Sequence, residues 1–292
     1  MKNYFLGIDG GGSKTAIKLI NDDGKVLWEE LQQGQKANYD LEKCLSQTKA
    51  ILSKSNKLIS YGSQLNVGIG WAGLAAENIC KAFVKEITKS LSSSVKLAAK
   101  PDATIACYAA HGLHDGGIVI VGTGTVGWMH TGGKTIRWGG WNIEDGGNGS
   151  GYWLGKRAII SALKAHDKRI TSSPFTEFIL DQFDGDAVLL NQTCSAELNN
   201  PRFIADYAKL TLEFAEQGDA NALALIKAAA KEVDDLCRIG LERGVSMALT
   251  GGLAEHIYHH LDPAIRKKVA LPGIPAVDGA LILARKIASE NC

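Results

Sequence analysis

The sequence lacks an excess of charge of either sign, because its 292 residues carry 32 Lys and Arg against 31 Asp and Glu. No broad basic surface is predicted, so we expect no nucleic acid among its partners. It also lacks a long apolar run that would predict a signal peptide or a membrane span, and we therefore expect a cytoplasmic protein with no membrane partner. Its six cysteines are scattered without a Cys-x-x-Cys pair, which indicates reduced, structural thiols.

Glycine, in contrast, is plentiful at 33 residues, and it clusters first within segment 7–15. An apolar segment at 4–6 precedes this cluster, and the alternating segment 16–21 follows it, so that strands are predicted on both sides. An Asp-Gly turn within 22–25 then leads into a third strand at 25–29. The glycine cluster is therefore predicted to join two strands of a meander.

A glycine loop between two strands differs from the two commonest nucleotide-binding loops. The P-loop requires Gly-Lys-Ser/Thr at the start of a helix, whereas Ser13 separates Gly12 from Lys14 here. The dinucleotide fingerprint also requires a helix after its glycines. The sequence predicts instead a tight hairpin whose backbone amides can surround an anion, and a turn without any ligand is the alternative.

The same order of elements occurs a second time. A buried strand is predicted at 117–121, and the glycine loop 122–125, a strand at 126–130, a Gly-Gly turn and a strand at 134–138 follow it. Helices are predicted at 39–54, 75–91, 103–110, 152–165, 174–183, 204–216, 221–243 and 278–288, with further strands at 65–70, 95–99 and 245–249. This alternation favours an α/β protein with mixed sheets and helices on their faces.

These motifs resemble those of the actin-like ATPase and sugar-kinase superfamily, and within it the BadF/BadG family of N-acetylglucosamine and glucosamine kinases. The segments that carry the resemblance are 7–15, 100–103, 122–125, 139–141, 149–155, 245–253 and 277–280. The resemblance implies an α/β fold of two actin-like (ribonuclease H-like) domains, each with a mixed βββαβα sheet, facing a central cleft. The N-terminal domain is expected over 1–113, with the terminal helix 279–292 packing back on it, and the C-terminal domain over 114–278.

The resemblance further implies ATP and Mg²⁺ as cofactors. The segments that match its phosphate and adenosine motifs contribute Gly11, Gly12, Ser13, Lys14, Thr15, Thr123, Gly124, Thr125, Gly251 and Gly252. Phosphoryl transfer requires neutralisation of the phosphate charge, and glycine-rich turns offer backbone amides for that purpose. We expect the Ser13 and Thr123 hydroxyls to add donors.

Two aspartates are the candidates for chemistry. Asp9 closes the first predicted strand, where it would hold the metal through water; a local turn cap is the alternative. Asp102 matches the position of the general base in the resembling kinases. The alternative for Asp102 is an N-cap of the following helix.

For the sugar, the resemblance implies Asn38, Gly73, Thr125, Gly139, Gly140 and Trp141. One motif departs from the family, which reads Asp-Glu-Gly-Ser-Gly or Asp-Gln-Gly-Ser-Gly and uses its aspartate to hold sugar hydroxyls. The corresponding residue here is Gly147, which has no side chain. Glu144 and Asp145 lie just upstream, and Asp145 is the residue expected to replace the missing carboxylate.

The sequence thus predicts an ATP-dependent hexosamine kinase that phosphorylates the 6-hydroxyl of N-acetylglucosamine. A glucosamine kinase and a catalytically weak sugar-binding sensor are the alternatives. The partner is then a small-molecule sugar, and a homodimer stays open as the oligomeric state. His256, His259 and His260 are predicted on one short helix as a surface cluster rather than a metal site. Asp278 is expected to cap the last helix.

Overall fold

The computed structural model describes residues 2–12, 14–34, 36–89, 91–141 and 147–290. The chain forms two compact units. The first unit takes in the described residues of Met1–Gly116, His130–Thr135 and Gly273–Cys292, and the second those of Gly117–Met129 and Ile136–Pro272. The boundaries predicted after residues 113 and 278 stay predictions.

The first unit is built on a five-stranded sheet of order β3-β2-β1-β4-β5. Strands β1 to β3 are antiparallel, whereas β4 and β5 run parallel to β1. Its elements are β1 (Asn3–Gly10), β2 (Lys14–Asn21), β3 (Val26–Gln33), α1 (Leu41–Leu58), β4 (Gln64–Trp71), α2 (Glu77–Thr88), β5 (Val95–Pro101), α3 (Asp102–His111) and the final helix α11 (Ala276–Ser289). The predicted meander at the start of the chain is therefore present.

The core of this unit lies on both faces of its central strands. Strand β4 is buried at every position, as expected for a central strand covered by helices. Helix α11 packs closely on it because Gly68 has no side chain: a Cβ there would lie 1.9 Å from the Ala280 carbonyl oxygen. The other face buries apolar residues of α1 and α2, among them Ile51 and Phe83.

The second five-stranded sheet has the order β10-β9-β6-β7-β8. Its strands are β6 (Gly116–Val121), β7 (Thr125–Thr131), β8 (Lys134–Trp138), β9 (Met247–Thr250) and β10 (Val269–Ala270). The helices that follow β8 are α4 (Gly151–His166), α5 (Pro174–Asp181), α6 (Ala187–Ala196), α7 (Pro201–Glu216), α8 (Ala220–Glu242), α9 (Ala254–Tyr258) and α10 (Pro263–Arg266). Strand β9 lies parallel to β6, in register from Gly117 opposite Met247.

Three elements differ from the sequence predictions. Helix α6 was not predicted, although Asp186 caps it by accepting hydrogen bonds from the amides of Val188 and Leu189. The short elements α10 and β10 were not predicted either, because two to four residues carry no period. Among the described residues, no helix is both long and apolar enough to cross a membrane.

Candidate active site

The first glycine turn joins β1 to β2 in the first unit. The Gly11 amide donates a 2.9 Å hydrogen bond to the Lys14 carbonyl and closes the hairpin, so this amide is occupied by the turn itself. Gly12 is exposed, and its nearest side chain is that of Lys36. Ser13 lies outside the described residues. Lys36 is thus a cation beside the turn that the sequence analysis missed, because only the tertiary structure brings residue 36 to residue 12.

Thr15 does not face the exposed surface of this turn. Its side chain is fully buried, and its hydroxyl makes a long 3.5 Å hydrogen bond to the Gln33 carbonyl across the β2–β3 ladder. The Thr15 hydroxyl is therefore directed into the sheet, and the predicted contact of Thr15 with ATP stays a prediction. Lys14, one residue earlier, is exposed at the start of β2.

Asp9 and Asp102 lie at the same edge of the first sheet. Asp9 pairs with Gly70 of β4, and Gly70 pairs with Lys100 of β5, two residues before Asp102. Asp9 thus lies at the carboxyl end of β1 and Asp102 follows the carboxyl end of β5, and the glycine turn comes directly after Asp9. This edge is where ligands bind in open α/β sheets.

The electrostatics of Asp9 reflect this placement. Burial, and after it repulsion from the Asp102 carboxylate, raise the pKa of Asp9 to about 7, whereas Lys14 acts in the opposite direction. Two neighbouring carboxylates therefore share a half-buried position with too little positive charge.

Asp102 is the first residue of α3, and its N-cap is Pro101. The alternative reading of Asp102 as an N-cap is therefore wrong. Its carboxylate nevertheless belongs to the first turn of the helix, where the positive end of the helix dipole favours an anion. Asp102 is partly exposed, whereas Ala103 and Thr104, which follow it, are buried.

Hard oxygen donors such as these two carboxylates fit Mg²⁺. Within the described ranges, no group of three or more His, Cys, Asp or Glu side chains could hold a metal alone. Mg²⁺ commonly binds through one or two carboxylates together with water and substrate phosphates, so the pair fits that mode. A divalent cation would also relieve the repulsion that raises the pKa of Asp9.

Asn38 and Gly73 lie against each other in the first unit. Gly73 has a φ of +95°, and a Cβ there would lie 2.5 Å from the Asn38 Oδ1 atom. The Ala37 amide donates a 2.8 Å hydrogen bond to the Ala72 carbonyl and fixes the two segments side by side. The structure thus brings together two predicted sugar-site residues that are far apart in sequence.

The second glycine loop joins β6 to β7 in the second unit. Thr123 and Gly124 are exposed there, and a Cβ at Gly124 would meet no atom within 4 Å. The start of α4 lies beside the loop, because the Gly151 and Tyr152 amides donate to the Gly122 and Thr123 carbonyls at 2.8 and 3.1 Å. The first amides of α4 are therefore occupied by the loop, and the exposed backbone of Thr123 and Gly124 is what this loop offers to an anion.

The β9–α9 loop reaches the same edge of the second sheet. Gly251 has a φ of +104°, and a Cβ there would lie 2.4 Å from the Val121 carbonyl oxygen at the end of β6. The Leu253 amide donates a 3.0 Å hydrogen bond to that oxygen. Gly252 is exposed, and a Cβ added there would meet no atom within 4 Å. The predicted phosphate and adenosine segments of the second unit are therefore neighbours.

The sugar-side segment after β8 also approaches this loop. A Cβ at Gly140 would lie 2.7 Å from the Thr125 carbonyl oxygen. The Thr125 hydroxyl is buried, and no group in the described part of the chain bonds to it. Trp141 is 62% exposed, and the Arg137 guanidinium lies 4.7 Å from its ring centroid. Trp141 is therefore not a core residue and is available to a ligand.

The remaining predicted residues divide into two groups. Glu144 and Asp145 lie outside the described residues, so no distance is given for the carboxylate proposed to replace the missing aspartate. Asp278 is the third residue of α11, whose N-cap is Pro275, so the predicted cap is wrong; its carboxylate instead forms a 2.8 Å ion pair with Lys18.

The predicted histidine helix is also shorter than expected. Helix α9 contains His256, whereas His259 is its C-cap and His260 lies beyond it. The prediction that all three share one helix is therefore wrong.

Comparisons with known proteins give the family of the chain. Residues 6–281 match the BadF/BadG/BcrA/BcrD ATPase family. The chain is 27% identical over 295 residues to the glucosamine kinase GspK of Vibrio cholerae, covering 97% of this chain and 96% of that protein. It is 31% identical over 239 residues to the N-acetylmuramic acid/N-acetylglucosamine kinase of Clostridium acetobutylicum, covering 79% and 76%.

A solved structure is also similar. A Chromobacterium violaceum protein provisionally named an N-acetylglucosamine kinase has a TM-score of 0.79 and 27% identity, covering 96% of this chain and 98% of that one. Two five-stranded sheets, each with a glycine loop at its edge, define an ATPase of the actin-like fold, and the predicted fold class is confirmed. The chain belongs to the BadF/BadG/BcrA/BcrD ATPase family.

Proposed function

We propose that this protein is an ATP-dependent amino-sugar kinase that transfers the γ-phosphoryl group to the 6-hydroxyl of N-acetylglucosamine. The observation that carries the proposal is the pair of carboxylates, Asp9 and Asp102, beside the glycine turn of the first unit. The relatives named as glucosamine and N-acetylglucosamine kinases support the same substrate class. Glucosamine is the second candidate, because the relative with that name aligns over nearly the whole chain.

In this reaction the sugar oxygen forms a bond to the γ-phosphorus while the bond from that phosphorus to the β,γ-bridging oxygen breaks. ADP leaves with that oxygen, and the hydroxyl proton passes to a carboxylate oxygen of Asp102. Asp102 lies in the first turn of α3, where the helix dipole favours a carboxylate anion. Such a base orients the hydroxyl early and captures its proton late, as a loose transition state requires.

Asp9 has a different role in the proposal. Asp9 would hold Mg²⁺, and the ion would neutralise charge on the transferred phosphoryl group. Lys14, at the start of β2, and Lys36, beside the turn, add positive charge there. Asp9 is then a metal-holding carboxylate and Asp102 the base, which separates two groups that have the same chemistry.

Sugar recognition is assigned to three side chains. The Asn38 amide offers a donor and an acceptor to vicinal hydroxyls. The exposed Trp141 ring provides an apolar face for the sugar ring or an acetyl methyl group. Asp145 is proposed as the carboxylate that replaces the missing family aspartate.

A coupled assay of ADP release tests the function. Purified protein with Mg²⁺ and ATP is offered N-acetylglucosamine, glucosamine, N-acetylmuramic acid and glucose, and ³¹P–¹H NMR locates the phosphate on the product. We expect the highest kcat/KM with N-acetylglucosamine and a 6-phosphate product. Highest activity with glucosamine would support the second candidate, whereas sugar binding without turnover would support the sensor.

Paired alanine variants test the sugar carboxylate. Asp145→Ala is expected to raise the sugar KM by about tenfold or more and to change the ATP KM little, because a charged hydrogen-bond acceptor contributes about 1.5–3 kcal/mol. Glu144→Ala, on the same loop, is the matched control and is expected to be mild. The opposite order would assign the role to Glu144, and no change in either variant would contradict a sugar carboxylate on this loop.

A further inference from the structure

Two residues close in sequence to the proposed sugar residues Trp141 and Asp145, namely Trp138 and Gly149, lie on one side of helix α8. A Cβ at Gly149 would lie 2.9 Å from the Ala229 carbonyl oxygen and 3.4 Å from the Glu232 Cβ. One turn further along the helix, the Trp138 indole donates a 3.0 Å hydrogen bond to the Leu236 carbonyl. Residues three and four apart share a helix face, so 229, 232 and 236 form one continuous platform under both residues.

A polar contact links this platform to the loop before α4. The Asn148 Nδ2 donates a 3.0 Å hydrogen bond to Glu232 Oε2, although the two residues are 84 positions apart in sequence. Because a carboxylate only accepts hydrogen bonds, it fixes the orientation of the amide with its nitrogen toward the helix. The Asn148 Oδ1 is consequently directed away from Glu232.

That oxygen is buried, and no group in the described ranges bonds to it. A buried acceptor without a donor is unfavourable, because the hydrogen bonds that it makes to water in the unfolded chain are not replaced. Asn148 also directly follows Gly147, where the family aspartate is missing. An unoccupied acceptor with a fixed orientation therefore lies next to the position that lacks its carboxylate.

We propose that Glu232 is a positioning residue for the sugar, which holds the Asn148 amide so that Oδ1 accepts a hydrogen bond from a hydroxyl or N–H group of the substrate. This inference rests on the proposed amino-sugar kinase function. The contact to the substrate comes from Asn148, and Glu232 acts through it. The role requires a group that accepts from Asn148, not a negative charge as such.

The test uses the full-length protein and compares KM values for N-acetylglucosamine and ATP, with melting temperatures. Glu232→Ala and Asn148→Ala are each expected to raise the sugar KM about tenfold and to leave the ATP KM within about twofold. Glu232→Gln keeps an acceptor for Asn148 and is expected to stay within about threefold of the wild type. Asp235→Ala, an exposed carboxylate on the same helix, is the control.

A double variant that exchanges the amide and carboxylate of Asn148 and Glu232 distinguishes a positioning role from a purely stabilising one. Asn148→Asp alone places two carboxylates together and is expected to raise the sugar KM. Adding Glu232→Gln restores a donor–acceptor pair, since the glutamine amide donates to the carboxylate introduced at position 148, and is expected to recover most of the loss. Unchanged sugar KM in Glu232→Ala, equal rises in sugar and ATP KM, or no recovery in the double variant would overturn the inference.

The experiments distinguish failure of this inference from failure of the proposed function. If the wild type phosphorylates an amino sugar but the Glu232 variants leave its KM unchanged, only the positioning role is wrong. If the wild type neither phosphorylates the sugars of the panel nor binds them in calorimetry, the proposed function is wrong and the inference falls with it.

Discussion

Asp9 and Asp102 carry the same functional group but have different surroundings. Asp9 ends a buried strand beside a second carboxylate, and its pKa is raised to about 7, chiefly by burial. Asp102 begins a helix, where the backbone amides of the first turn favour its anion. Environment rather than residue type therefore separates the proposed metal-holding group from the proposed base.

Asp102→Asn is expected to lower kcat by about two to four orders of magnitude, the range that a positioned proton acceptor contributes. The fold is expected to persist, because asparagine is nearly isosteric and residue 102 is not the helix cap. ADP release and the melting temperature are the measurements. Glu77→Gln is the matched control, since Glu77 is the first residue of α2. Near-normal turnover in Asp102→Asn would remove this residue from the mechanism.

Asp9→Asn is expected to stabilise the protein in the absence of Mg²⁺ and nucleotide, increasingly as the pH rises. The pKa of Asp9 is raised from 3.8 to about 7, so the folded state holds a proton that the unfolded state loses between these values. Wild-type stability therefore falls as the pH rises through this window, by about 1–4 kcal/mol.

Melting temperatures of both proteins from pH 4 to pH 8 are the measurement, with the exposed Asp23→Asn as control. The difference between Asp9→Asn and the wild type is expected to widen up to about pH 7 and then to level off. A difference that does not vary with pH would show that the Asp9 carboxyl keeps its ordinary pKa.

Helix α11 illustrates how an element far along the chain completes the first unit. It packs against β1, β4 and α3 through glycines that permit close approach. A Cβ at Gly279 would lie 1.8 Å from the Ile105 carbonyl oxygen of α3, and one at Gly7 would lie 2.7 Å from the Val277 carbonyl oxygen. Because the helix backbone would contact neighbouring backbone atoms, no flexible side chain could move aside to make room.

Gly279→Ala is therefore expected to destabilise the protein by about 1–3 kcal/mol or more. Helix propensity alone predicts the opposite sign, since alanine is favoured over glycine in a helix by about 1 kcal/mol. The melting temperature decides between them, and we expect a fall of at least about 3 °C. The exposed Lys286→Ala on the same helix is the control. A rise in melting temperature would contradict the close packing.

At the scale of the whole molecule, the net charge of +1 offers little attraction to polyanions. Proteins that bind DNA nonspecifically neutralise several phosphates with clustered Lys and Arg. We therefore expect no retardation of a labelled DNA duplex at about 10 µM protein and about 150 mM salt. A shift that weakens steeply with added salt would reveal a basic surface that the composition conceals.

The sequence by itself determined the elements with a strong local signal. The first meander follows from alternating apolar residues and an Asp-Gly turn, which act within a few residues of one another. Strand β8 was predicted with the bounds that the structure has, Lys134–Trp138. The glycine loops directly follow predicted strands, whereas Asp102 was singled out by its resemblance to the general-base position of related kinases, and its role stays a prediction.

Only the tertiary structure decided which of these residues meet. The contact of Lys36 with Gly12, the burial of Thr15 and the Asn148–Glu232 hydrogen bond join segments that no local pattern relates. The raised pKa of Asp9 likewise depends on burial and on a neighbour 93 positions away. Local propensity acts over a few residues, whereas proximity and desolvation arise only when strands and helices pack, and these fix the chemistry of the site.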